Sequence, residues 1–149
     1  MVVECSKSLN KIVNILELQN RNILEVGPGT GNLTLGLLKK KPRKMFVVEK
    51  DNKLASLLQN QFKDTLTVIN DDILDLEEKL ICDEQLIVFG NLPYNISTEI
   101  LCKWILNIND KKIWFDYLIL MFQKEVADRI ISKFNSKNYG RLSVISNWK

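Results

Sequence analysis

The sequence predicts an α/β domain with a doubly wound, mostly parallel sheet, and three observations carry that expectation. Short runs of nearly continuous apolar character recur along the chain, as in NILEV at 22–26 and MFVV at 45–48, which is how strands buried on both faces read. Stretches with helical spacing of apolar residues separate them, and such alternation implies helices covering both faces. Glycines cluster directly after the first buried run, in VGPGTG, where a strand would hand over to a helix.

The elements follow in order. Leu9, Ile12, Val13 and Leu16 fall at helical spacing within 8–17, and the strand 22–26 comes next. Residues 33–40 continue as a helix that Pro42 stops, and the β-rich run 45–48 follows. The alternation repeats as helix 53–62, strand 66–69, a polar interval, strand 85–89, helix 98–106, strand 117–122 and helix 125–134.

Composition bounds the function classes. With 149 residues, 46% hydrophobic and 26% charged, the chain fits a single domain with a core of its own. The net charge of +3 is compatible with a polyanionic partner without demanding one. MVVECSKSLNK carries early charges and no long apolar run, so neither a signal peptide nor a membrane span is expected and a cytoplasmic address follows. Cys5, Cys82 and Cys102 show no paired spacing and suggest neither a disulfide framework nor a zinc site. There is no histidine, which excludes every mechanism built on imidazole.

In parallel sheets ligands sit beyond the carboxyl ends of the strands, so the residues there are the candidates for chemistry. Gly27, Gly29 and Gly31 alternate after the first strand, freeing the backbone for positive φ and for close approach to a ligand, although such turns often serve packing alone. Their G-x-G-x-G spacing departs from the dinucleotide fingerprint. Glu49 stands about 20 residues beyond the glycines, where an acidic side chain accepts ribose hydroxyls; the alternative is a solvated charge beside Lys50. Together the two features point to a nucleoside without a cradled pyrophosphate. Asp71 and Asp72 precede Ile73: a carboxylate there suits an adenine amine and Ile73 its ring, while the alternative is an Asp capping a turn. Finally, Asn91-Leu92-Pro93-Tyr94 offers an amide oxygen, a backbone carbonyl stiffened by proline and an aromatic face. These would grip the edge of an extruded base, against the plainer reading of an Asx-turn with an anchoring tyrosine.

Taken together, EVGPGTGNLT, VVEKD, NDDILDL and NLPYNIS resemble the successive motifs of the S-adenosylmethionine-dependent ribosomal RNA adenine N6-dimethyltransferases, the KsgA/Dim/Erm group. LMFQKEVADRI and NYGRLSVIS extend the resemblance to nearly everything after Ser8, and their detail looks more like the KsgA branch, which acts on small-subunit ribosomal RNA. The resemblance implies a Rossmann-like class I methyltransferase fold with S-adenosylmethionine as cofactor and no metal. It implies that Gly27, Gly29 and Gly31 contact the methionine part, Glu49 the ribose, and Asp72 with Ile73 the adenine. Asn91 would lie between cofactor and target amine, with Leu92 and Pro93 giving backbone geometry and Tyr94 a stacking face. Lys124, Arg129 and Arg141 are the candidates for RNA phosphates. The partner implied is ribosomal RNA or a small-subunit precursor, met by a monomer.

Two departures qualify it. The family's basic Q-N-F-L segment has no counterpart in MVVECSKSL, so one wall of the cofactor pocket is expected to be missing or differently built. The family also continues past a strand resembled by residues 142–146, through a last strand, to a helical RNA-contacting domain. The expectation is therefore one methyltransferase domain over 1–149, with a sheet incomplete toward the C-terminus. The rival reading is a non-catalytic RNA-binding or ribosome-assembly module of the same fold. A DNA adenine methyltransferase shares the clamp logic, but Leu92 resembles that group less. Basic clusters at 39–44 and at Lys111-Lys112 read as solvated faces.

Overall fold

A computed structural model of the protein describes residues 9–93, 95–108 and 113–147, and the backbone alone of 2–4. Six parallel strands form one sheet in the order β1-β6-β5-β2-β3-β4: β1 (Val2–Glu4), β2 (Asn22–Val26), β3 (Lys44–Val48), β4 (Thr67–Ile69), β5 (Leu86–Gly90) and β6 (Phe115–Phe122). The five strands β2 to β6 are those the apolar runs predict, within two residues at each end. The edge strand β1 was not expected.

Side chains alternate across the sheet. Ile23, Val47, Ile87 and Phe89 enter one core with Ile12, Leu37, Leu58 and Phe62, while Leu24, Val26, Val88 and Leu120 enter a second with Ile100 and Trp104. The first core lies beneath α1 (Leu9–Ile12), α2 (Asn32–Leu38) and α3 (Asn52–Phe62), and the second beneath α4 (Ser97–Leu106) and α5 (Lys124–Ile130). Both faces are therefore covered. The strand order reverses between β2 and β5, so the crevice beyond their carboxyl ends is the topological switch point of the sheet.

Three elements differ from expectation, the first being the helix expected over 125–134, which is α5 (Lys124–Ile130) and stops four residues early. The helix expected over 8–17 is limited to Leu9–Ile12. The Asn14 side-chain amide donates to the Asn10 carbonyl and Ile15 N–H turns back to Ile12, and such local bonds compete with a continuing helix. Ile12, Val13 and Leu18 are buried all the same. Residues 142–146, expected as a strand, lie in α6 (Arg141–Ser146). The Ser143 and Ser146 hydroxyls donate to the Arg129 and Ile130 carbonyls at the end of α5, and this anchoring overrides the β-preference of Val144 and Ile145.

Candidate functional site

Backbone bonds bring the loops beyond the switch-point strands together. Gly27 N–H donates to the Val48 carbonyl at 3.0 Å and Asn91 N–H to the Val26 carbonyl at 3.3 Å. The loops after β2, β3 and β5 thus leave the sheet side by side. A Cβ added to Gly27, whose φ is +69°, would stand 3.2 Å from the Asn91 carbonyl oxygen. Gly27 and Asn91, 64 residues apart by their numbers, are near neighbours in space.

The three glycines have different reasons to be glycine. All have positive φ, but a Cβ on Gly31 would come within 2.9 Å of the Phe62 ring and 3.1 Å of Leu58, whereas one on Gly29 would meet nothing within 4 Å. Packing against α3 explains Gly31 in full. Gly29 borders open space, where a ligand has room.

Glu49, 9% exposed, is no solvated charge. Its Oε2 accepts from Gly29 N–H at 3.2 Å and its Oε1 from Asp51 N–H at 3.0 Å, tying the glycine turn to the start of α3. A hollow of about 650 Å³ opens beside it, lined by Glu49, Lys50, Asp51, Asn52 and Lys53. The Asn70 side-chain amide donates to the Glu49 carbonyl at 2.8 Å, so the loop after β4 is laced to the loop after β3. The sequence reading gave Asn70 no role; its signal was a polar side chain directly after a strand.

In that loop both aspartates bond to nearby backbone N–H groups. Asp71 Oδ1 accepts from the adjacent Asp72 N–H, and Asp72 Oδ1 from Leu74 N–H two residues on, so the turn-capping bond is made by Asp72. Asp72 keeps its second oxygen for Lys50 Nζ at 2.6 Å. That hydrogen bond, more than any other influence, lowers the Asp72 pKa, and its counterpart raises the Lys50 pKa. Asp72 is thus a fixed carboxylate on the rim. Ile73 is 5% exposed and packs in the second core, so its side chain offers a ligand a floor at most.

The tetrapeptide shows a division of labour over its described residues. Leu92 is 4% exposed and packs in the second core, anchoring the loop while Asn91 and Pro93 stay exposed. The Pro93 carbonyl accepts from both Ile96 and Ser97 N–H at 3.1 Å, starting α4 with its two lone pairs engaged. Tyr94 lies outside the described residues.

Glu25 is a residue the sequence reading left without a role, though a lone acid inside an apolar strand was a signal. It is fully buried, and its Oε2 accepts from Thr34 Oγ1 at 2.7 Å while its Oε1 has no partner. Burial pushes its pKa up to about 7 despite the Thr34 hydrogen bond. An underused carboxylate therefore sits two residues before Gly27.

Of the basic candidates, Arg129 and Arg141 line one cavity of about 380 Å³ with Lys137 and Tyr139, while Lys124 pairs with Asp128 along α5. The cluster at 39–44 lies between α2 and the start of β3, at the opposite end of the sheet from the glycine turn. Lys111 and Lys112 lie outside the described residues, as does Cys5. Among the described residues no group of three or more His, Cys, Asp or Glu gathers as a metal would require, and no helix is long and apolar enough to cross a membrane.

Comparison with known proteins gives this rim a family. The α/β architecture with its parallel sheet is that of class I methyltransferases. A dimethyladenosine transferase from Plasmodium falciparum superposes with a TM-score of 0.77 at 27% identity, over 97% of this chain and 51% of that one. The 23S rRNA methyltransferase ErmE superposes at 0.67 and 28% identity, over 95% and 53%. A ribosomal RNA small subunit methyltransferase A from Pelagibacter ubique is 63% identical over 141 residues, 95% of this chain and 53% of the relative, and one from Ehrlichia ruminantium is 43% identical over 92% and 52%. The chain thus spans about half the length of the curated relatives it matches. The family model described as ribosomal RNA adenine dimethylase matches residues 4–148, and the chain belongs to that family.

Proposed function

We propose that this chain is the cofactor-binding and catalytic part of an S-adenosylmethionine-dependent enzyme that dimethylates N6 of adenine in small-subunit ribosomal RNA. The carrying observation is the close approach of Gly27 to the Asn91 carbonyl at the switch point, where an added Cβ would stand 3.2 Å away, because it sets the proposed cofactor turn against the proposed amine clamp. The residues fit the cofactor. Gly29 leaves room above the turn, and Glu49 and Asp72 present carboxylates for the ribose and the adenine amine. When bound, S-adenosylmethionine supplies a methyl group activated by its sulfonium.

The chain's own task is then alignment and electrostatics. An adenine amine is a weak nucleophile because its lone pair is conjugated with the ring. Two acceptors at the amine protons favour a pyramidal nitrogen and stabilise the positive charge that grows on it. Asn91 Oδ1 is one. With the Pro93 carbonyl engaged by α4, the Leu92 carbonyl is the second. No general base is required at the start, since the amine sheds its proton as or after the carbon–nitrogen bond forms, so a chain without histidine suffices. Tyr94 would stack on the extruded base, Arg129, Arg141 and Lys124 would meet RNA phosphates, and the chain would act as a monomer in the cytoplasm.

Asn91→Ala should bind S-adenosylhomocysteine within a few fold of wild type and slow single-turnover methylation of a ribosomal RNA fragment by roughly 100-fold, the scale of losing a positioned polar group at a transition state. Near-wild-type turnover would remove the clamp. Failure of the wild-type chain to bind the cofactor product would favour the non-catalytic module.

A further inference from the structure

Helix α4 starts at the carbonyl of Pro93 and carries on its second turn a side chain that a helix packed on a sheet does not need. Ile100, Leu101 and Trp104 already fill its apolar face. Lys103, between them and solvent, has a side chain only 19% exposed, although a lysine commonly extends its ammonium into water. Its Nζ donates to the Ile73 carbonyl, the Leu76 carbonyl and Glu78 Oε1, each at 2.7 Å. All three ammonium protons are thereby accounted for.

The acceptors identify what is being held. Residues 70–77 form no helix or strand, so their carbonyls lack the partners that regular structure gives, and buried ones must find donors elsewhere. At one side this segment closes on itself, with Asp75 and Leu76 N–H donating to the Asp72 carbonyl. At the other it is closed by Lys103. Glu78, 7% exposed, fastens the far end, accepting also from the fully buried Trp104 Nε1 at 2.6 Å. Two successive residues of α4 therefore grip the segment that begins at Asp72.

We propose that Lys103 is a positioning residue for the adenine subsite. It touches none of the atoms offered to a ligand, but it fixes the Asp72–Leu76 turn to the helix whose start bonds the Pro93 carbonyl. Lys103, with the Trp104–Glu78 bond beside it, thereby ties the adenine acceptor to the helix that follows the amine acceptor. This inference rests on the cofactor reading given above.

The test measures the affinities of S-adenosylhomocysteine and of S-inosylhomocysteine, which carries an oxygen in place of the adenine amine, by calorimetry, and amide hydrogen exchange without ligand. Wild type should prefer the adenine compound. Lys103→Met should lose roughly tenfold in affinity for it, the scale of removing charge-assisted hydrogen bonds, and most of the adenine preference, with faster exchange confined to residues 72–78. Lys103→Arg should recover part of the preference. Glu78→Gln, which keeps the shape of the acceptor, should shift both readouts the same way by a smaller factor and serves if the methionine variant does not fold. A lowered melting temperature with unchanged adenine preference in either variant would make Lys103 merely structural and overturn the proposal. Wild-type protein that bound neither compound would instead overturn the cofactor reading itself and the proposal with it.

Discussion

Single residues at this rim answer to different physics, and sequence alone ranks them poorly. Glu49 taken alone reads as a solvated charge and only with the glycine turn as a ribose acceptor; its two backbone donors, Gly29 and Asp51, are what hold it in place. Glu25 shows the reverse case, since its position inside an apolar strand was legible but its orphan oxygen was not. Its carboxyl has a pKa of about 7 in the fold against 4.5 for the free group. The folded state therefore holds a proton that the unfolded state releases between those values. The associated stability is present in full below pH 4.5 and is lost as pH rises through 7, a change on the order of 3 kcal/mol. Urea denaturation across pH 4 to 8 should show this decline in wild type and a flatter profile in Glu25→Gln; parallel profiles would mean that Glu25 is not buried in its charged form.

At the scale of elements, period and punctuation made strands β2 to β6 and most helices readable, because buried parallel strands leave unbroken apolar runs. Where the reading failed, the deciding bonds were local for α1 and tertiary for α6. α6 is a helix because Ser143 and Ser146 find carbonyls at the end of α5, which a run of β-formers does not disclose. The glycine turn is a finer instance. Its spacing announced a ligand site, yet Gly31 is explained by Phe62 and Gly29 by open space. Gly29→Ala should cost about 1–2 kcal/mol for its positive φ alone, and its main effect should be weaker S-adenosylhomocysteine binding. Gly31→Ala adds the clash with the Phe62 ring and should destabilise by more in thermal melts. Equal losses of stability in the two variants would contradict this division of roles.

Across the whole molecule, the topology does what no single motif can. The chain order of β2, β3 and β4 runs one way from the switch point and β5 and β6 the other, so motifs as far apart as Gly27 and Asn91 emerge along one rim. The order of motifs was legible in the sequence; their contact through Gly27 and Asn91, the lacing by Asn70, and the grip of Lys103 on the Asp72 turn were not, because each depends on a partner distant in the chain. The central claim is that these loops converge on one nucleoside-binding site. Backbone NMR with S-adenosylhomocysteine titrated into the assigned protein tests it most directly. The largest shifts should fall together on the amides of Gly27, Gly29, Glu49, Asp72 and Asn91 with one common saturation curve; shifts confined to one loop, or centred on the Arg129 and Arg141 cavity, would contradict it.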